Sequence, residues 1–434
     1  MHVSREALIQ RSIPSISVFR KGVKKMQKLL VLMFSVLILA LACGEQPAED
    51  IAVDESADEG ASTEEYVLPD ADEYLTLADS IGIELGDSNY VFGQIAGADI
   101  SPKGEIGILD SQRSCVSIFS PSGEFVQSIG RQGSGPGEFQ LAVGMTFFQD
   151  EEITVVSEVT IPDSLEPGVV VADAMGGKLV YFDSEMEYMM DVQGFYPSPP
   201  AVVAGVGNGA IVGMKPEFLQ TEEGMFMGFT VSKWEMGETE AAVVYFESMS
   251  PFDPSDLTTM QDDVPVFGAT PEGIVLTSRL STEVYEFTVW SPEGEELLTV
   301  TDENFERVRK TQEEIDLEAE MVNNRMIQQG MPESMANWQP DPYRSSIGGL
   351  WIDGLDRIWV TKGTTVTPSF NVYDMEGNLL FTAALDAGER ARTWQVLIQE
   401  DQFLAFDADP ELYPQVFIGG LPGIEKTGTE EEGQ

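Results

Sequence analysis

An all-β chain assembled from repeated four-strand units is predicted by three observations. Short β-branched and aromatic runs recur along the chain. Pro-x-Gly or Ser-Gly turns separate them at similar spacing, as in Ser101-Pro102-Lys103-Gly104-Glu105, Ser120-Pro121-Ser122-Gly123-Glu124 and Ser291-Pro292-Glu293-Gly294-Glu295. Helical periodicity is confined to one stretch. Such spacing is the pattern of a repeat architecture rather than of alternating strands and helices.

The first unit reads Ala98–Asp110, then a hairpin around Gly123. It ends in the Gly-rich link Gly130-Arg131-Gln132-Gly133-Ser134-Gly135-Pro136-Gly137-Glu138-Phe139. The second has Gly144–Phe148, Ile153–Val156 and Gly177–Tyr188. The third has Ala201–Ala204 and Ala210–Met214, with outer strands over Phe229–Trp234 and Ala241–Phe246. In the fourth, Val266–Thr277 and Glu283–Leu298 repeat the first unit. The fifth has Gly349–Val360 and Ser369–Phe381, and the last Trp394–Ile398, Gln402–Phe406 and Gln415–Ile418. Length permits six or seven units in 84–421; the turns number six. Apolar residues Val308, Ile315, Ala319, Val322 and Met326 place one helical insertion near 302–330, capped at Thr301 or Asp302, within a break at 302–345. It reads as a packing helix, with a lid over a central pocket as the sharper alternative. After it, Trp338, Tyr343 and Arg344 are candidate surface-patch residues that packing explains equally well, so no site is assigned there.

The N-terminus sets the compartment. Lys24, Lys25 and Lys28 precede the apolar run Leu29–Ala42, which is too short to span a bilayer comfortably and matches a secretory signal. Cys43 follows at once. Residues 1–42 are therefore read as a signal peptide, with Met26 a candidate true start that would make 1–25 a misassigned extension. The run with Cys43 resembles a bacterial lipoprotein signal, which implies a lipidated Cys43 followed by an acidic flexible tether over 43–83; an ordinary secretion signal with an incidental Cys is the alternative, and 422–434 is read as a disordered acidic tail.

Composition excludes several chemistries. The sole histidine, His2, lies in the signal, so Ser-His-Asp and Cys-His catalysis and His-ligated metals are absent from the remainder. Cys115 is the only cysteine besides Cys43 and reads as a buried structural thiol. The formal charge is −50, from 24 basic and 74 acidic residues. A field of that sign repels nucleic acid and anionic lipid, and it serves solubility first. The link at 130–139 is followed by a strand, with no helix N-terminus or adjacent Lys, and so is no phosphate cradle.

Ile118–Phe125 with Gly130–Phe139 resembles the NHL repeat, and the chain from 84 to 421 is similar to six-bladed β-propeller lipoproteins of bacterial envelopes. Asp356–Val360 followed by Phe370–Gly377 fits the same pattern, with Asp356 where Gly is usual. Ala40 and Leu41 depart from the usual lipoprotein signal. The resemblance implies a lipid-anchored module on the periplasmic or cell-surface side, binding or scaffolding an envelope protein, a glycan or a small molecule, with no common catalytic set. No catalytic or cofactor-binding residue is assigned, and the reading leans away from an enzyme. The alternative is a calcium-dependent hydrolase or lyase with carboxylate ligands in the central channel, Ca2+ being the one cofactor left open. A purely structural envelope protein is the third reading.

Overall fold

The computed structural model describes residues 68–148, 168–222, 224–252, 264–328, 332–333, 336–388, 390–391, 394–407, 410 and 412–423. His2, Cys43, the acidic stretch 45–65, the expected strand Ile153–Val156 and residues 424–434 lie outside them.

Six four-stranded antiparallel blades form the domain. Blade 1 comprises β2 (Ile95–Ile100), β3 (Ile106–Asp110), β4 (Cys115–Phe119) and β5 (Phe125–Ile129). Blade 2 comprises β6 (Ala142–Phe148), β7 (Gly168–Asp173), β8 (Lys178–Phe182) and β9 (Tyr188–Gln193). Blade 3 comprises β10 (Val202–Gly205), β11 (Ile211–Gln220), β12 (Met225–Trp234) and β13 (Val243–Pro251). Blade 4 comprises β14 (Pro265–Ala269), β15 (Val275–Arg279), β16 (Glu286–Trp290) and β17 (Glu296–Thr301). Blade 5 comprises β18 (Ile347–Ile352), β19 (Ile358–Lys362), β20 (Ser369–Tyr373) and β21 (Leu379–Asp386).

Blade 6 is built from both ends of the chain. Its inner strands are β22 (Gln395–Gln399), β23 (Gln402–Phe406) and β24 (Val416–Gly420); its outer strand is the N-terminal β1 (Glu73–Ile81). Leu77–Ile81 pair antiparallel with β24, while Glu73–Thr76 pair parallel with β21. One strand thus stitches blade 5 to blade 6 and closes the ring. This corrects the expected tether: residues 73–81 of the 43–83 segment belong to the folded domain, because Leu75 and Ile81 are buried in it. At the other end, Pro422 is tied to blade 5 by the Arg357 guanidinium, which donates to its carbonyl at 2.9 Å. Cys115 is buried with a free thiol.

Repetition is visible in the irregularities. A register shift precedes the outer turn of blades 1, 2, 4 and 5, after Ile118, Tyr181, Val289 and Val372. Three of those turns carry Gly123, Gly294 and Gly377 at φ of 76°, 84° and 84°, the left-handed conformation that glycine adopts without penalty. The strands β3, β4, β7 and β8 are buried throughout, since blades pack face to face on both of their sides. The outer strand β17 alternates instead, because one face meets water.

The single described helix, α1 (Gln312–Gln328), lies in the link from blade 4 to blade 5. It starts ten residues later than expected. Residues 308–310 instead pair with 342–344, through Arg344 N–H to the Val308 carbonyl and Lys310 N–H to the Pro342 carbonyl. The helix opens on a capping box: Glu314 N–H donates to Thr311 Oγ1 (3.2 Å) and Thr311 N–H to Glu314 Oε2 (2.6 Å). Thr311→Ala removes half of this pair and is expected to cost about 1 kcal/mol in denaturant unfolding. Among the described residues, no helix is long and apolar enough to cross a membrane.

Candidate functional site

The inner strands β2, β6, β10, β14, β18 and β22 surround the axis, each touching the next around the ring. Links between blades emerge at the upper end of the ring, and the first turn of each blade lies at the lower end.

Glycines let neighbouring inner strands meet backbone to backbone. A Cβ on Gly144 would lie 2.1 Å from the Ala201 carbonyl oxygen, one on Gly205 1.9 Å from that of Phe147, and one on Gly268 2.1 Å from that of Leu350. Gly97 differs: a Cβ added there would meet nothing within 4 Å.

Near the lower end, a polar relay crosses three blades. The Thr146 hydroxyl donates to Asp99 Oδ2 (2.7 Å), and Phe147 N–H donates to the same oxygen (2.8 Å). Gly205 N–H donates to Thr146 Oγ1 (2.9 Å). Inner strands have no ladder partner on the axial side, and this relay satisfies amides that the ring would otherwise bury unpaired. Burial pushes the Asp99 carboxyl up to about 6, against the lowering effect of its three hydrogen bonds from Thr146, Phe147 and Ile100. A carboxyl whose folded pKa is raised favours the fold at low pH and loses that contribution as pH rises toward its folded value. Wild type is therefore expected to lose about 2 kcal/mol relative to Asp99→Asn between pH 4 and pH 6.5, read from paired urea melts. A constant difference between the two proteins would contradict this.

At the lower mouth, carboxylates crowd the turns of blades 4, 5 and 6. Glu400 is held above the ordinary range by burial first, then by Glu272, Asp401, Asp353 and Asp356. Asp353 is already committed: its Oδ2 accepts from Arg357 Nε and Trp359 Nε1, both at 2.7 Å. Among the described residues, no group of three or more His, Cys, Asp or Glu side chains is placed to hold a metal ion.

The Gly-rich link connects β5 to β6 and is built as a brace. Phe139 is fully buried, its ring 6.1 Å from Phe182 and edge-on to it. Its N–H donates to the Arg131 carbonyl, and its carbonyl accepts from Gly133. Glu138 accepts from Gly135 N–H (2.8 Å) and pairs with Arg131 (2.6 Å). The buried Lys178 reaches the Gly135 carbonyl and pairs with Asp191 (2.9 Å). These contacts leave the link a structural role.

The upper end carries the elaboration. Strands β11, β12 and β13 rise well beyond β10, which pairs only with residues 211–214. Met214, Phe218, Met227 and Phe229 share one face of β11 and β12 by the period-2 register. They join Val322, Met326 and Trp338 of the crossover in one apolar cluster. Lys310 pairs with Glu318 and Arg344 with Glu314, and the Arg344 guanidinium also donates to the Thr364 carbonyl of blade 5 (3.0 Å). Burial raises the Glu318 carboxyl, and Lys310 works against that. Asn323 clamps the returning chain: Trp338 N–H donates to its Oδ1 and its amide donates to the Trp338 carbonyl, both at 2.9 Å.

The three surface-patch candidates are thereby placed. Trp338 is buried, Tyr343 lies under the Arg307 guanidinium at 3.7 Å, and Arg344 is ion-paired. None forms an exposed aromatic patch. Sequence reasoning missed the Asp99–Thr146 pair, which the ring brings together across a sequence gap of 47 residues. It also missed the cap at Thr311, whose Thr-x-x-Glu spacing was the available signal.

A family model described as 6-bladed beta-propeller matches residues 92–192. Among solved structures, the chain is similar to a member of the duf4221 family from Bacteroides vulgatus, at 9% identity and TM-score 0.45, covering 80% of this chain and 97% of that one. It is also similar to a gluconolactonase from Xanthomonas campestris, at 12% identity and TM-score 0.40, covering 82% and 99%. A calcium-binding protein, regucalcin, from Agrobacterium tumefaciens matches at 8% identity and TM-score 0.37, covering 80% and 95%. A comparison with curated proteins gave no match.

Proposed function

We propose that this chain is a lipid-anchored, extracytoplasmic β-propeller with NHL-like repeats that binds or scaffolds a partner in the bacterial envelope through its upper face. The observation that carries the reading is the joint wall formed there by α1, its returning segment and the raised strands of blade 3. Nothing in the ring's own closure requires either addition. The partner is an envelope protein, a glycan or a small molecule; the charge of −50 argues against nucleic acid. Cys43 is the lipidated residue, and about 30 residues between it and β1 reach at most roughly 100 Å from the membrane. Membrane fractionation with palmitate labelling tests the anchor. Wild type is expected in the membrane fraction and labelled, and Cys43→Ser soluble and unlabelled. Equal partitioning of the two proteins would overturn the anchor.

A second reading, a calcium-dependent hydrolase or lyase, has one observation in its favour: the crowding of carboxylates around Glu400 at the lower mouth. Melting curves in a calcium titration discriminate. A bound ion would stabilise the fold by RT ln(1 + c/Kd) at free calcium concentration c, and no shift at millimolar calcium removes this reading.

A further inference from the structure

The crossover contains a polar atom that the fold leaves unanswered. Trp338 is 1% exposed, and its indole Nε1 has no hydrogen-bond partner among the described residues. An indole N–H can only donate, and a buried donor without an acceptor costs on the order of 1–3 kcal/mol. Its backbone is tied to α1 by Asn323, and its ring is buried in the apolar cluster, which restricts its search for an acceptor.

The cluster that holds this donor is apolar and rich in methionine. Met214, Met227, Met321 and Met326 belong to the same cluster, two from blade 3 and two from α1. Methionine is unbranched and polarizable, and it repacks around a guest at small cost. The other clusters are built from branched and aromatic side chains almost throughout; those centred on blade 6 and on the blade 6 to blade 1 junction contain no methionine.

We infer that the seam between α1 and the raised strands of blade 3 is a binding site for a neutral, apolar small molecule bearing one hydrogen-bond acceptor, which the Trp338 indole N–H engages. Neutrality has two grounds: 74 acidic against 24 basic residues disfavour an anion, and burial in an apolar cluster disfavours a cation. The acceptor follows from the orphan donor, and the apolar body from the methionines. This rests on the upper face being the binding face and supplies the class of ligand it takes.

The test uses the full chain and N-phenyl-1-naphthylamine as reporter, displaced by 2-nonanone or by nonane. The ketone is expected to compete about three- to tenfold more strongly than the hydrocarbon, the ratio a single net hydrogen bond supplies. Trp338→Phe keeps the ring and removes the donor, so it should bind both competitors equally. In the wild type, the Trp338 indole N–H resonance should move with 2-nonanone and stay with nonane, a readout that needs no variant. Absence of reporter binding, or an unmoved indole resonance with both competitors, overturns the inference. Either failure leaves partner capture on the upper face to be judged separately by crosslinking.

Discussion

Gly205→Ala is expected to destabilise the domain by about 3 kcal/mol or more, with a fall in Tm on the order of 4 °C or more. The added methyl would sit 1.9 Å from the Phe147 carbonyl oxygen, and the obstacle is backbone of the neighbouring inner strand, which no rotamer change removes. Relief requires blades 2 and 3 to move apart. That motion also stretches the bond from Gly205 N–H to Thr146 and, through it, the Asp99 contact. The loss therefore has two parts, overpacking and a weakened relay, and the second adds about 1 kcal/mol. Gly97→Ala is the matched control. It too lies on an inner strand, yet a Cβ there meets nothing within 4 Å, so its stability should be unchanged or slightly raised. Equal losses at the two positions would mean that glycine's backbone freedom, rather than interblade contact, is what these strands need.

Phe139→Ala is expected to cost about 3–5 kcal/mol, as for a fully buried aromatic side chain cut back to a methyl. The ring occupies the space that a side chain at Gly130 would need: a Cβ there falls 2.0 Å from Phe139 Cε2. Gly130 also sits at φ 77°, where an L-residue is strained by about 1–2 kcal/mol whatever its neighbours. Two distinct costs are thus predicted for Gly130→Ala, one steric and one conformational. In the Phe139→Ala background only the conformational cost should remain. The double-mutant cycle should accordingly be strongly non-additive, with the pair less destabilising than the sum of the singles. Simple additivity would place Phe139 elsewhere than on Gly130.

The turns were the most legible part of the chain. Ser120-Pro-Ser-Gly-Glu and Ser291-Pro-Glu-Gly-Glu state their own geometry, since each needs a left-handed glycine and a Ser side chain that accepts from the amide four residues on, and both are found. Buried middle strands such as β7 read less clearly, because strands covered on both faces show no alternation. Strand β1 went unread for a different reason. Most of its residues are exposed or half-exposed, and its partners β21 and β24 lie some 300 residues away, so nothing local marks it as part of the ring. The candidate site was least legible of all. Asp99, Thr146 and Gly205 are ordinary strand residues one by one, and only the ring's closure makes them a relay. The same holds for Trp338, whose position beneath α1 depends on an insertion folding back onto blade 3, two blades' worth of sequence earlier.

The claim that the upper face is the working face is tested most directly by site-specific photocrosslinking in cells. A benzophenone amino acid is placed at Leu219 on the raised strands or at Ile327 on α1, and at Leu355 in a lower turn of blade 5; all three are well exposed. A discrete adduct from Leu219 and Ile327, absent from Leu355, is the predicted result. Adducts of equal yield from both ends of the channel, or from Leu355 alone, would contradict it.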